Sequence, residues 1–134
     1  MDHYYNYTIS AFGNITGEDH IINELQNGPI ACAIAVPDTF ENFTGTGVYE
    51  DKTGDTTLVH GISVVGYGAT ADAVKYWLVR NSWGSAWGDK GFVKVIRGIN
   101  NIGIESDCSW ADPVDTWSDR QPLEKTEPEP EHPK

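Results

Sequence analysis

Two side chains with complementary chemistry, His60 and Asn81, lie 21 residues apart in the sequence. Asn81 directly follows the strand-like run at 75–80, so a polar amide leaves a predicted sheet beside bulky tryptophans. An amide that orients an imidazole needs apolar cover, because water would otherwise compete for their hydrogen bond. Trp83, two residues after Asn81, is placed to supply that cover. The residue types therefore favour a site in which an amide orients a histidine.

Two apolar runs must bring these side chains together. The first opens at His60 and ends at Gly68, and the second covers residues 75–80. A short loop joins them, which predicts a pair of antiparallel strands. In such a pair, the start of the first strand lies opposite the end of the second. We therefore expect His60 and Asn81 to be neighbours at the rim of a sheet.

Three motifs surround this pair. His60 precedes a small residue and an apolar strand that ends in Gly-Tyr-Gly, the second strand reads Tyr-Trp-Leu-Val-Arg-Asn-Ser-Trp-Gly, and a Trp-Gly-x-x-Gly-Phe segment follows. In this order the motifs resemble the papain-like cysteine peptidases, most closely their cathepsin X branch, over roughly residues 4–113. The resemblance implies that His60 serves as base and acid, and that Asn81 accepts a hydrogen bond from one of its ring nitrogens. It also implies that Trp83 shields that bond and lines the leaving-group side of a cleft.

The same resemblance implies substrate-binding positions for a peptide or protein substrate. It places Leu58 and Val59 at the border of the cleft and Ala33 at the specificity pocket. Ala33 belongs to the run at 30–36, where small and large side chains alternate, which predicts a buried strand with one closely approachable side. Trp87 is expected to contribute packing.

The nucleophile of such a peptidase is missing from the expected place. The family's cysteine stands in a Cys-Gly-x-Cys-Trp context about 130 to 150 residues before its histidine, with a glutamine oxyanion donor nearby. Only 59 residues precede His60, and neither Cys32, Cys108, Gln26 nor Gln121 has such a context. The resemblance therefore implies the carboxyl-terminal, β-rich lobe of a two-lobed enzyme, inactive alone. The amino-terminal lobe of the same enzyme is its expected partner.

The two cysteines, Cys32 and Cys108, are too few for a zinc site and show no Cys-x-x-Cys spacing. Their types alone leave two interpretations open, a disulfide or two buried thiols. The resemblance implies that they pair, because cathepsin X has cysteines in corresponding contexts.

Three Asn-x-Thr sequons begin at Asn6, Asn14 and Asn42 and favour glycosylation in a secretory route. The first residues contain neither a basic segment nor an apolar one, so we expect no signal peptide in this chain. A secretory protein would then extend beyond it. The family resemblance implies a lysosomal or extracellular location.

The composition excludes several other classes of function. The 134 residues carry a formal net charge of -11, which would repel nucleic acid and anionic membrane surfaces. No apolar run approaches the ~18 residues that a membrane helix needs. The four histidines show no ligand spacing, so neither a metal nor another cofactor is expected.

The pattern of elements predicts an α+β fold with a mainly antiparallel, partly closed β-sheet and one flanking helix. Strands are expected at 4–12, 30–36 and 91–97 besides the two above, with a helix of about nine residues after Thr16-Gly17 and a single helical turn capped by Asp38. Residues 1–112 would form one domain. Residues 113–134, rich in Pro and Glu, are expected to be a disordered acidic tail.

Two other functions fit the sequence less well. A non-catalytic module derived from the same lobe could use the half-cleft and the acidic tail to bind a protein. A carbohydrate-binding β domain would explain exposed tryptophans, but their spacing with His60 fits it poorly.

Overall fold

The computed structural model describes residues 7–115 of the 134-residue chain. Seven strands, two short helices and one 3₁₀ turn follow each other in the order β1 (Ile9–Ile15), α1 (Glu18–Glu24), β2 (Ile30–Ile34), α2 (Asp38–Glu41), β3 (Val48–Tyr49), β4 (His60–Ala69), β5 (Lys75–Arg80), β6 (Phe92–Ile96), the 3₁₀ turn (Asn101–Gly103) and β7 (Cys108–Pro113). The predicted tail beyond residue 115 and the sequon at Asn6 lie outside the described residues.

The seven strands form one sheet in the spatial order β1-β7-β2-β4-β5-β6-β3. Every pair is antiparallel except β3 with β6, which is parallel. The prediction of an α+β fold with a mainly antiparallel sheet is confirmed. The order is linear, so the sheet is not closed by hydrogen bonds, and β1 and β3 are its edges.

One face of the sheet forms the core, because large apolar side chains alternate with small or polar ones along the strands. On β2, Ile30, Cys32 and Ile34 are buried while Ala31 is exposed. The same period on β4, β5 and β6 buries aliphatic side chains and Trp77. Where β2 and β4 pair, the opposite face carries only small side chains, those of Ala31, Ala33, Gly61 and Ser63. This leaves a smooth surface beside the start of β4.

Helix α1 covers the core with Ile21, which is fully buried. It begins after Gly17, whose positive φ of 87° suits glycine, and an acidic residue opens it. That residue, Glu18, forms an ion pair with Arg97 at 2.5 Å and a longer one with Lys75 at 3.6 Å. The helix is seven residues long instead of the expected nine, because residues 25–27 form a turn. A helix this short depends on these tertiary contacts.

Two local predictions, for the cap of α2 and the end of β1, were inaccurate. The residue that caps α2 is Pro37, and no side chain caps the helix, so Asp38 is its first helical residue instead of its cap. Strand β1 begins at Ile9 and continues to Ile15, beyond the predicted end at residue 12. β7 extends through Pro113, and the Val114 amide still donates to the Thr8 carbonyl at 2.9 Å. The end of β7 thus lies one residue after the expected domain end at residue 112.

A disulfide joins Cys32 on β2 to Cys108 on β7. The two residues are directly opposite each other in the ladder, and both are buried. The bond closes a sequence separation of 76 residues and ties the strand that carries Ala33 to the last strand of the sheet. Of the two interpretations that the residue types left open, the structure has the paired one.

Candidate active site

The first residue of β4 and the residue after β5 meet at one rim of the sheet. His60 Nε2 lies 2.9 Å from Asn81 Oδ1. The antiparallel register, in which Ser63 pairs with Arg80, brings them together as the sequence predicted. His60 is half-buried, whereas Asn81 is only 8% exposed. Their hydrogen bond is therefore largely sheltered from water.

A second donor fixes which way the Asn81 amide points. The backbone N–H of Ser82 donates to the same Oδ1 at 2.8 Å, so this atom is the carbonyl oxygen and accepts from both sides. Because a carbonyl oxygen only accepts, the ring nitrogen facing it must carry a hydrogen. In the neutral imidazole the proton is then on Nε2, and Nδ1 has the free lone pair. The sequence reasoning missed this contact of the Ser82 backbone, although Ser82 stands directly beside Asn81.

The ring of Trp83 stacks on His60 with a centroid distance of 4.9 Å and an interplanar angle of 26°. Trp83 is in turn held by edge contacts to Trp87 at 5.1 Å and to Phe40 of α2 at 5.9 Å. The Trp87 Nε1–H donates to the Glu41 carbonyl at 2.8 Å, which ties this group to α2. We call the side chains of Phe40, Trp83 and Trp87 the aromatic flank of His60.

On the other side of His60 the side chains are small. His60 pairs with Ile34, and the neighbouring Gly61 pairs with Ala33, which is half-buried. The backbone N–H of Ala33 donates to the carbonyl of Asp107 at 2.9 Å, so the residue just before β7 supports this strand. No side chain larger than a methyl group rises from Ala33 or Gly61. The sheet surface here is open to an approaching molecule.

Leu58 and Val59 form the approach to His60. Val59 is 69% exposed, and its backbone N–H donates to the Ile34 carbonyl at 2.9 Å, so its position on the rim is fixed. Leu58 is 36% exposed and packs over Gly103, which has a φ of 75°. The positive φ favours glycine there, and a Cβ at Gly103 would lie 2.6 Å from Leu58 Cδ2, so any other residue would displace the Leu58 side chain.

The loop that leads into β4 is held by a buried pair that sequence reasoning missed. Asn101 accepts from the Asp51 backbone N–H and donates to the Asp51 carbonyl, each at 2.9 Å. Burial alone raises the pKa of the Asp51 carboxyl, but hydrogen bonds from the Thr53 hydroxyl and the Thr53 and Gly54 backbone outweigh it and hold the pKa below its usual value. Burial also raises the pKa of the neighbouring Tyr49 phenol, and the Asp51 charge adds to this.

Neither cysteine of the sequence carries a free thiol in this structure. The sequence contains two cysteines, and both are in the disulfide. Gln26 donates to the Ile22 carbonyl and to the Tyr67 hydroxyl, so it is engaged beside α1. Among residues 7–115 no cluster of three or more His, Cys, Asp or Glu side chains could hold a metal ion.

Two of the three sequon asparagines are described. Asn14 lies on β1 and Asn42 ends α2, and both are exposed. The Asn42 side chain donates to the Asp38 carbonyl at 2.9 Å. None of the helices in the described part of the chain is long and apolar enough to cross a membrane.

Comparison with known proteins gives one consistent family. The model of the papain family cysteine protease matches residues 2–111. Cathepsin Z of Onchocerca volvulus is 36% identical over 123 residues, which is 85% of this chain and 40% of that protein. Fruit bromelain of Ananas comosus is 40% identical over 84 residues, or 63% of this chain and 23% of that protein. The chain thus spans less than half the length of these relatives.

Two solved protease structures are similar to this chain in fold. The bromelain protease of Ananas comosus in complex with the E64 inhibitor has a TM-score of 0.73 at 26% identity, covering 78% of this chain and 50% of the other. Digestive procathepsin L 3 of the Tenebrio molitor larval midgut has a TM-score of 0.73 at 34% identity, covering 78% and 36%.

Proposed function

The chain belongs to the papain family of cysteine proteases, and from that premise we propose that it is the carboxyl-terminal lobe of such a peptidase. In this proposal His60 is the general base and acid, and Asn81 orients it. The nucleophilic thiol comes from an amino-terminal lobe, because both cysteines of this sequence are in the disulfide. The lobe alone would then be inactive.

The observation that carries the proposal is the 2.9 Å contact between His60 Nε2 and Asn81 Oδ1. It leaves Nδ1 as the atom that takes the proton from a thiol placed beside it, which generates the attacking thiolate. After attack on the peptide carbonyl, the imidazolium returns this proton from Nδ1 to the leaving amine. Throughout, the Nε2–H remains bound to Asn81, so the ring does not rotate away from the reacting atoms.

Trp83 supports this chemistry in two ways. Its ring stacks on the imidazole, and its position beside Asn81 excludes water from their hydrogen bond. When His60 is protonated, the π face of the indole also stabilises the positive charge. We assign the substrate contacts of a peptide to Trp83 on the leaving-group side, to Leu58 and Val59 at the border and to Ala33 at the specificity pocket.

A buried donor supports the presence of a further lobe. Asn81 Nδ2 is buried and has no hydrogen-bond partner in the part of the chain that the structure describes. Buried amide donors are nearly always satisfied. A lobe that docks at this rim would cover the site and could supply an acceptor for this group.

The test is reconstitution of activity. The part of Onchocerca volvulus cathepsin Z outside its match to this chain should be co-expressed with the 134-residue chain, and hydrolysis of a fluorogenic peptide measured with and without a thiol-directed inhibitor such as E64. We expect inhibitor-sensitive hydrolysis by the pair and none by either part alone. His60→Ala should lower kcat/KM by about 10³-fold or more, because proton transfer by a positioned side chain contributes about 10² to 10⁴.

His20→Ala is the matched control, since His20 is exposed on α1 and its ring nitrogen Nδ1 lies 3.0 Å from the Thr16 carbonyl oxygen, within the same helical segment. It should leave hydrolysis unchanged. Full activity of the His60→Ala pair would refute the assignment of the base. Inhibitor-sensitive hydrolysis by the isolated chain that disappears in Cys32→Ser or Cys108→Ser would refute the assignment of the nucleophile to another lobe.

A second function rests on the same absence of a free thiol. A chain with no nucleophile could serve as a non-catalytic module that binds a protein through the half-cleft. In that case the pair would form but would not hydrolyse peptides, even with the intact histidine and asparagine.

The remaining expectations from the sequence stay part of the proposal. They are a lysosomal or extracellular location, glycans at Asn6, Asn14 and Asn42, and a disordered acidic tail at 113–134. Mass spectrometry of protein from a secretory host would identify which of the three asparagines carries a glycan.

A further inference from the structure

A buried carboxylate lies outside the residues that the proposed mechanism uses. Glu105, between the 3₁₀ turn and β7, is only 8% exposed. Its Oε1 accepts from the indole N–H of Trp77 at 3.0 Å and from the Gly98 backbone N–H at 2.7 Å. Its Oε2 accepts from the Asn100 backbone N–H at 3.1 Å. Within residues 7–115 no cation forms an ion pair with it, so these three neutral donors satisfy the buried oxygens.

The backbone of Glu105 is fixed as well. Its N–H donates to the Asn100 side-chain oxygen at 2.9 Å, and its carbonyl accepts from the Gly17 N–H at 2.8 Å, just before α1. The chain between these contacts is strained, because Asn100 and the buried Ile102 both have a φ of 51°. A β-branched residue keeps such a conformation only where the surrounding contacts hold it. Glu105 supplies several of these contacts.

Residues 101–107, which we call the anchored segment, hold the end of β2. The Ala33 N–H donates to the Asp107 carbonyl at 2.9 Å, and the Ala35 N–H donates to the Ile102 carbonyl at 2.8 Å. The two carbonyls lie near opposite ends of the anchored segment. A shift of this segment would therefore move Ala33, which we assign to the specificity pocket.

The anchored segment also supports the border of the proposed cleft. Leu58 packs over Gly103, which belongs to the segment. The Val59 N–H donates to the Ile34 carbonyl, which lies between the two residues of β2 that the segment holds. The positions that we assign to substrate contact at Ala33, Leu58 and Val59 are thus connected to the anchored segment, either directly or through β2.

We propose that Glu105 is a positioning residue for the substrate side of the cleft. It acts through the anchored segment on Ala33 and Leu58. His60 is held separately, by Asn81 and the aromatic flank. This inference rests on the proposed function, because that function assigns these positions to peptide binding. The position of the anchored segment can also be measured in the chain alone, since backbone amides report it.

The first measurement is amide hydrogen exchange of the purified 134-residue chain. Glu105→Gln keeps the size of the side chain but turns an NH₂ group toward a buried donor, which loses its acceptor. The Ala33 and Ala35 amides should then exchange about tenfold faster, because the segment that accepts from them opens locally. The Ser82 amide, which donates to Asn81, should keep its wild-type rate. The NMR chemical shift of the Trp77 indole N–H should change.

The second measurement is the kinetics of the reconstituted pair. Glu105→Gln should raise KM about tenfold and leave kcat unchanged, because displaced contacts weaken the binding of substrate and transition state equally. Glu24→Gln is the matched control, since this carboxylate on α1 accepts from the exposed Asn27 side chain at 3.3 Å, outside the contacts of Glu105. It should change neither value.

Asn100→Gly is a milder variant that serves if Glu105→Gln does not fold. It removes only the side-chain oxygen that accepts from the Glu105 N–H, and the φ of 51° at this position suits glycine. The Ala33 and Ala35 amides should exchange faster here too, and KM should rise about threefold at constant kcat.

The outcomes separate this proposal from the proposed function. Unchanged exchange at Ala33 and Ala35 in the variants would overturn it. Equal acceleration of all buried amides would also overturn it, because Glu105 would then serve overall stability. A fall in kcat at constant KM would place Glu105 with His60 and overturn it as well. A wild-type pair that does not hydrolyse peptides would refute the catalytic proposal, whereas local acceleration at Ala33 would still support the control of this surface by Glu105.

Discussion

The two sides of His60 differ in the size of their side chains and in whether this chain packs them or leaves them open. The aromatic flank of Phe40, Trp83 and Trp87 is large, mutually packed and hydrogen-bonded to α2. The opposite side, formed by Ala33 and Gly61, is small and open. The chain therefore holds by itself the groups that orient the imidazole, whereas the other side is left free for the thiol that our proposal requires.

The difference indicates how the lobes share the chemistry in our proposal. Aromatic pairs at these distances contribute about 0.5–1.5 kcal/mol each beyond burial, so the aromatic flank is preorganised before any partner binds. Small side chains contribute little by themselves, but they allow another backbone to approach closely. The contribution of the aromatic flank should therefore depend on the identity of its side chains. The contribution of the side formed by Ala33 and Gly61 should depend on the integrity of the sheet beneath it.

The largest expected effect tests the sheet beneath the small-residue side. Replacing both cysteines, Cys32→Ala with Cys108→Ala, should lower the free energy of unfolding by about 4 kcal/mol, because the disulfide closes a loop of 76 residues. Urea unfolding of oxidised protein measures this. The His60 ring should keep its stacking on Trp83, and the NMR chemical shifts of the imidazole ring protons would report this. A loss below about 1 kcal/mol, or a disrupted stack, would contradict the separation of the two sides.

The second effect concerns orientation. In the reconstituted pair, Asn81→Ala should lower kcat by about 10²-fold with little change in KM, because misplacement of a catalytic group by about 1 Å costs that much. Asn27→Ala removes an exposed amide after α1 and should change neither value. A rise in KM with unchanged kcat would show that Asn81 contributes to substrate binding instead of positioning His60.

Much of this arrangement was accessible from the sequence. Alternation along the strand identified β2 and β6, apolar runs identified β4 and β5, and antiparallel pairing brought His60 and Asn81 together. These inferences succeed because sheet pairing follows the pattern of side chains along the chain. The sequence could not show that Ser82 fixes the amide, since a backbone N–H is present at every residue except proline and only geometry selects one.

Other features escaped prediction because they depend on contacts distant in sequence. The pair of Asp51 and Asn101 joins segments 50 residues apart through side chain and backbone. α2 begins after Pro37 without a side-chain cap, and Phe40 packs it against Tyr49 and the tryptophans. Phe12 is apolar, so the sequence pattern alone suggests that it is buried. In the structure its side chain is 77% exposed.

A smaller effect tests the cover of the hydrogen bond. Trp83→Phe should lower kcat/KM of the pair by about threefold to tenfold, since a smaller ring keeps part of the stacking and of the cation–π stabilisation. Trp110→Phe is the matched control, because Trp110 packs against Gly13 of β1, away from His60. Activity of Trp83→Phe equal to wild type would mean that Trp87 and Phe40 suffice to exclude water.

The smallest effect concerns the loop that enters β4, which supports both sides of His60. The pKa of Asp51 lies below its usual value in the folded protein, so its ionised form stabilises the fold. This contribution is complete above the unfolded-state pKa of about 3.9 and is lost as the pH falls through the lower folded pKa. Asp51→Asn should therefore destabilise the chain at pH 7, and the difference from wild type should shrink below about pH 4. The exposed Asp72→Asn variant serves as control and should show no such difference. Urea midpoints measured from pH 7 to pH 3 provide the comparison. A constant difference in midpoint between Asp51→Asn and wild type across this range would contradict the prediction. It would mean that the Asp51 side chain stabilises the loop through its shape and not through its charge.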